Sequence, residues 1–308
     1  MHLVTVGTVA FDSIETPFAK SEKVIGGANT YIALAASHFV DRCGLISVVG
    51  DDFPQEMLDL MQKRGIDLGG LEIKKGEKSF FWSGKYHYDL NTRDTLATEL
   101  NVLANFNPVV PSHFQGCQLL MLGNLDPRIQ LSVIRQFTER PHLIVMDTMN
   151  FWMDTAWDQL MEVIAEVDVL TINDEEARQM TREYSLVKAA KKILDMGPSY
   201  VIIKKGEHGA MLFSPHSIFF APALPMEEVV DPTGAGDTFA GGFVGYLAKT
   251  NNTSFENMKR AVIVGSAMAS FTCEKFGPER LLELSTDDIN NRIEEFVELM
   301  NFEILIED

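Results

Sequence analysis

Residues 231–243 read DPTGAGDTFAGGF. Pro232 stops the preceding segment from continuing as helix, and the Gly234, Ala235, Gly236 run falls where a new helix begins. The first N–H groups of a helix have no partner in the helix, and glycine and alanine let an anion come close to them. The helix dipole adds about 0.3–1 kcal/mol for a negative group there. Asp237 follows in the first helical turn, in reach of the proton of an alcohol that attacks phosphorus. A tight turn into a glycine-rich packing helix would use the same residues, so the stretch by itself leaves both readings open.

Composition narrows the class. The chain has 308 residues, 46% of them hydrophobic, enough for one large α/β domain. Its 26 basic residues face 44 acidic ones, a formal net charge of -18. That balance argues against nucleic acid and anionic membrane as partners, because both bind through basic patches. Cys43, Cys117 and Cys273 show no C-x-x-C spacing, so neither a zinc site nor a disulfide framework is expected. The N-terminal MHLVTVGTVAFDSI lacks the basic and long apolar regions of a secretory signal, and a cytoplasmic location is expected.

Continuous apolar runs at 3–7, 43–50, 117–124, 142–148, 167–173 and 200–206 read as strands buried on both faces. Helical patterns at 54–65, 129–140 and 156–167 lie between them, and the chain is mostly helical after residue 230. The alternation predicts a doubly wound, mainly parallel central sheet flanked by helices in a single domain over 1–308. One segment breaks the rhythm: in KSFFWSGKYHYDLNTRDTLATEL, 78–100, period-two alternation puts Phe80, Trp82, Tyr86 and Tyr88 on one face, with Ser79, Ser83, Lys85, His87 and Asp89 mostly on the other. A small second sheet is expected from about 76–101, with about 12–25 as its companion.

The string from Asp231 to Val244 resembles the C-terminal signature of the PfkB, or ribokinase-like, family of carbohydrate and nucleoside kinases, and further landmarks follow that family's order along nearly the whole chain. The resemblance implies a ribokinase-like α/β fold with a β-sheet lid. It also implies an ATP-dependent phosphotransferase acting on an alcohol, with the primary hydroxyl of a sugar or sugar acid as the leading acceptor. Asp237 would be the general base, and Gly234, Ala235 and Gly236 the anion hole. Asp12, in VGTVAFDSI, matches an aspartate that binds sugar hydroxyls. GGANTY places Gly26, Gly27, Asn29 and Tyr31 at the acceptor; many relatives carry asparagine where Tyr31 falls. In NDEE, Asn173 and Glu176 match the N-x-x-E motif that holds Mg2+ through water, although a plain helix cap would look alike. In IIKKGEHGAML, Lys204, Gly206 and Gly209 match a nucleotide-phosphate loop, and Ser266 opens a segment that walls the adenine. Asp231 and Thr233 resemble positions near a monovalent-cation site, which makes K+ a candidate activator. Paired lids would give a homodimer.

Competing signatures are missing from the sequence: there is no G-x-x-x-x-G-K-[ST], no G-x-S-x-G and no H-x-x-x-H pair. A nucleoside kinase of the adenosine-kinase type is the first alternative, suggested by the aromatic lid and Tyr31. A catalytically silent sugar- or nucleotide-binding regulator is the second, and the intact Asp237 speaks against it. A phosphosugar acceptor ranks lower, since Lys85 and Arg93 are the only evident cations near the lid.

Overall fold

The computed structural model describes residues 2–301 and 303. Its strands are β1 (Leu3–Val6), β2 (Ala10–Glu15), β3 (Lys20–Gly26), β4 (Cys43–Gly50), β5 (Ile66–Lys74), β6 (Phe80–Tyr86), β7 (Arg93–Glu99), β8 (Leu119–Leu122), β9 (Leu143–Asp147), β10 (Val169–Asn173), β11 (Tyr200–Lys204), β12 (Ala210–Phe213) and β13 (Ile218–Ala221). The helices are α1 (Ala28–Ala36), α2 (Gln55–Lys63), α3 (Pro127–Gln136), α4 (Asn150–Thr155), α5 (Trp157–Glu166), α6 (Asp174–Thr181), α7 (Leu186–Leu194), α8 (Ala235–Thr250), α9 (Phe255–Thr272), α10 (Glu279–Glu283) and α11 (Thr286–Met300).

Nine strands form the main sheet in the order β13-β12-β11-β10-β9-β8-β1-β4-β5. All neighbours from β5 to β11 run parallel, and β12 and β13 add an antiparallel edge. The doubly wound, mainly parallel expectation holds. Every residue of β1, β4, β8 and β9 is buried, which is why these strands read as unbroken apolar runs. The strand β5 escaped that reading because, at the sheet edge, IDLGGLEIK is buried only at Ile66 and half-buried or exposed elsewhere.

The second half of DPTGAGDTFAGGF explains itself in packing. A Cβ on Gly241 would lie 2.4 Å from Ile32 O of α1, and one on Gly242 would lie 3.1 Å from the Cα of Gly265 in α9. The small residues therefore let α8 nest between α1 and α9 at backbone distance. Phe239 and Phe243 fill the adjoining core, each contributing about 1.5–3 kcal/mol by burial. Nesting fixes the axis of α8 and so aims its N-terminus along one line.

Four strands stand off as the lid sheet, ordered β3-β2-β6-β7. The β2–β3 and β6–β7 pairs are antiparallel, and β2–β6 is parallel. The aromatic face differs from the alternation reading. Tyr86 ends β6 and is buried, whereas Tyr88 lies in the following turn, 82% exposed, edge-on to Phe18 at 5.8 Å. Ser79 is also not on a solvent face: it is buried at the root of the lid, bonding the Asp52 carboxylate at 2.7 Å and receiving the Gly50 N–H at 3.0 Å. Period two cannot anticipate the place of Tyr88, since the turn after Tyr86, held by three hydrogen bonds to the Asp89 carboxylate, interrupts the pleat, nor that of Ser79, which precedes β6 and is fixed by Asp52 and Gly50.

Candidate active site

The N-terminus of α8 begins at Gly234, whose φ of 79° is left-handed and suits glycine. A Cβ there would also meet the Tyr31 ring at 2.5 Å, so the phenol ring abuts the turn. The N–H of Ala235 is spent on Pro232 O at 3.1 Å. The N–H groups of Gly236 and Asp237 have no partner among the described residues and are left for an anion. Asp237 has its pKa pushed up to about 7, first by withdrawal from water and then by the charge of Asp147, against the opposing pull of Lys204 and Arg93. A carboxyl poised near 7 is matched to taking a proton at neutral pH.

Lys204 ends β11 and Asp147 ends β9, on either side of β10, at the carboxyl edge of the sheet where ligands of open α/β folds bind. The Lys204 ammonium donates to Asp147 Oδ2 at 2.7 Å. A Cβ on Gly236 would come within 3.2 Å of Lys204 Nζ, so the cation sits over the first turn of α8. Asn173 and Glu176 form a reciprocal capping box: Asn173 Oδ1 accepts from the Glu176 N–H, and Glu176 Oε2 from the Asn173 N–H, both at 2.8 Å. Glu176 is nonetheless buried, and desolvation followed by the charge of Asp147 pushes its pKa up to about 7. Asp147 was invisible to motif reading. Its one sequence signal is position, an acid closing the buried run LIVMD.

On the acceptor side, Asp12 is buried in β2 and receives the Gly27 N–H at 3.4 Å. A Cβ on Gly26 would collide with its carboxylate at 1.9 Å, which accounts for glycine at that position. Burial above all pushes the Asp12 pKa up to about 7. Tyr31 is 1% exposed, and its hydroxyl is buried with no hydrogen-bond partner among the described residues. Its own pKa is raised well above the usual range by burial and then by the charges of Asp12, Asp231 and Asp237. Asp231 is fully buried; Thr233 N–H reaches its Oδ1 at 2.8 Å, while Oδ2 has no partner among the described residues.

Not every residue singled out in the sequence joins these two groups. The Asn29 amide donates to Thr5 O and Ile46 O, at 3.2 and 3.1 Å, tying α1 to β1 and β4. Ser266 is half-buried on α9, with no side-chain hydrogen bond to the other site residues described. Gly206 and Gly209 turn the chain between β11 and β12, where Lys205 N donates to Gly209 O at 2.8 Å. The lid reaches that loop, since a Cβ on Gly206 would meet Asn91 Oδ1 at 2.6 Å. Across the β6–β7 ladder Arg93 sits directly opposite Tyr86.

The sequence pattern of the pfkB family carbohydrate kinases matches residues 4–283. The chain belongs to the pfkB family. A cytidine kinase of Thermococcus kodakarensis is 29% identical over 248 residues, covering 79% of this chain and 87% of that protein. A 2-dehydro-3-deoxygluconokinase of Thermoproteus tenax is 25% identical over 244 residues, covering 72% and 73%. The crystal structure of the Methanocaldococcus jannaschii nucleoside kinase, an archaeal member of the ribokinase family, superposes with a TM-score of 0.77 at 20% identity, over 96% of this chain and 99% of the other. As a pfkB kinase the chain is an ATP-dependent phosphotransferase with an alcohol as acceptor. No helix among its described residues is long and apolar enough to cross a membrane.

Proposed function

We propose that this pfkB kinase moves the γ-phosphoryl group of ATP to a hydroxyl of an uncharged sugar ring, free or in a nucleoside, with Asp237 as general base. The observation that carries the reading is the placement of Asp237 in the first turn of α8, next to N–H groups unpaired among the described residues and the Lys204 ammonium. As the hydroxyl attacks, Asp237 takes its proton. The α8 N-terminus and Lys204 meet the charge on the transferring group, without reorganising at that moment. General-base positioning supplies about 10²- to 10⁴-fold, so these fixed charges carry most of the acceleration.

Asp12, Gly26, Gly27 and Tyr31 would hold the acceptor. The charges that act on Tyr31 are three carboxylates, Asp12, Asp231 and Asp237, with the Tyr86 phenol beside them. An anionic acceptor would meet like charge there, which favours a neutral polyol. A sugar acid is the second reading, supported by the likeness to the Thermoproteus tenax enzyme and by the lid cation Arg93, whose field reaches Tyr86 and Asp237. The nucleoside form of the acceptor is supported by the likeness to the cytidine kinase.

Among the described residues no cluster of three or more acidic, histidine or cysteine side chains is poised to cage a metal. Magnesium commonly binds through one or two carboxylates, keeping waters and substrate phosphates as its other ligands, and the carboxylate of Glu176 suits that mode. When bound it would neutralise charge on the phosphate oxygens. The Oδ2 of buried Asp231, without a partner among the described residues, suits a monovalent cation held there with Thr233.

The test is ADP release across neutral sugars, sugar acids, phosphosugars and nucleosides, with K+ or choline as the monovalent cation. Turnover confined to sugar acids or phosphosugars would overturn the uncharged acceptor. Equal rates in K+ and choline would remove the cation site.

A further inference from the structure

We propose that Asp147 is a positioning residue that acts through Lys204, holding its ammonium over the N-terminus of α8 before ATP arrives. The inference rests on the reading of Lys204 as a phosphate-binding cation. Lysine is a long, flexible cation that by itself samples many rotamers. Here its tip is held at 2.7 Å from Asp147 Oδ2, with the two side chains only 17% and 6% exposed. The carboxylate is itself fixed, because its Oδ1 accepts the Thr148 N–H at 2.9 Å. The Asp147 main chain is fixed too, its carbonyl accepting from the buried Gln130 amide at 3.1 Å.

The pair has a direction. The Lys204 ammonium makes one hydrogen bond among the described residues, and two of its three N–H donors remain for a ligand. Those donors lie at the first turn of α8, within 3.2 Å of where a Cβ on Gly236 would be, so they add to the unpaired N–H groups of Gly236 and Asp237. The ion pair with Asp147 favours the ammonium form of the side chain. A cation held in place before the reaction costs no reorganisation in the transition state, and a misplacement of about 1 Å can cost about 100-fold in rate.

A double-mutant cycle in steady-state kinetics tests this, with ATP·Mg2+ and the best acceptor from the panel. The variants are Asp147→Asn, Lys204→Met and the double variant, with Tm measured for each. Asp147→Asn is expected to lose about 100-fold in kcat/KM, mostly in kcat. Lys204→Met is expected to lose at least as much, and adding Asp147→Asn to it to change little more. Additive losses would overturn the proposal, because Asp147 would then act on metal or substrate without Lys204. Asp147→Asn strands a buried ammonium, so it is the variant most at risk of misfolding. If it does misfold, the ratio of the double variant to Lys204→Met decides alone: near one supports the proposal and a tenfold gap overturns it. Impaired Lys204→Met with wild-type Asp147→Asn sinks only the role of Asp147. Wild-type rates in Lys204→Met would sink the phosphate role of Lys204 as well.

Discussion

Thr233, in the turn that leads into α8, donates its hydroxyl hydrogen to Tyr86 Oη of the lid at 3.2 Å. The contact joins residues 147 positions apart in the chain and latches the lid to the motif that carries Asp237. A neutral hydrogen bond contributes about 0.5–1.5 kcal/mol, so Tyr86→Phe should loosen closure by roughly two- to twelvefold. The expected result is an acceptor KM raised within that range and a rise in ATP hydrolysis without acceptor, as water gains entry. Unchanged values of both would show that closure does not depend on this latch.

Asp237→Asn keeps the shape of the first turn of α8 and removes the base. The expected loss in kcat is about 10²- to 10⁴-fold, with ATP affinity by titration calorimetry within a few fold of wild type. A variant that still turns over at the original rate would remove Asp237 from the proposed chemistry.

Tyr31→Phe deletes only a hydroxyl that is buried without a partner among the described residues, so the fold should hold or gain slightly in Tm. If that hydroxyl serves the acceptor, its loss should raise the acceptor KM several-fold and leave the ATP KM in place. A raised Tm with unaltered acceptor KM would make Tyr31 a packing residue against Gly234 and nothing more.

Two pH dependences follow from the buried carboxyls. With Asp237 near 7 and active only when ionised, kcat/KM should climb with pH through about 7 and level off above it. A profile flat from pH 5 to 8 would contradict that base. Stability should move the other way. Asp12, Glu176 and Asp237 have folded pKa values of about 7, and Asp231 of about 6, all raised mainly by burial from 3.8 or 4.5. Each binds its proton more tightly folded than unfolded. Its contribution is therefore complete below the unfolded pKa and disappears as pH rises through the folded one. Without ligands, Tm by calorimetry should fall between pH 5 and 8, and a rising Tm over that window would refute the shifts.

Much of the main sheet could be read from the chain because strands covered on both faces must be apolar throughout, and β1, β4, β8 and β9 are. The edges were harder. β5 is mostly half-buried or exposed and mixes polar with apolar residues, while β12 and β13 are apolar but only four residues long, too short for a periodic pattern to stand out. Lid aromatics were over-assigned to one face for a local reason: the turn at Asp89 takes Tyr88 out of the pleat.

The order of residues along the chain determined where α8 starts, which carboxyl stands in its first turn, and which small residues line its flank. The first two are short-range matters that DPTGAGDTFAGGF contains; the small residues of the flank are in the sequence too, but the α1 and α9 backbones they admit are supplied by the fold. Tertiary structure alone decided that Asp147 lies 2.7 Å from Lys204, that Asn29 is spent on Thr5 and Ile46, and that Tyr86 meets Thr233. Each of those partners arrives from a distant element, brought by sheet order and lid placement. The same burial moves the carboxyls of Asp12, Glu176 and Asp237 to about 7, because a charge withdrawn from water answers to whatever the fold sets beside it.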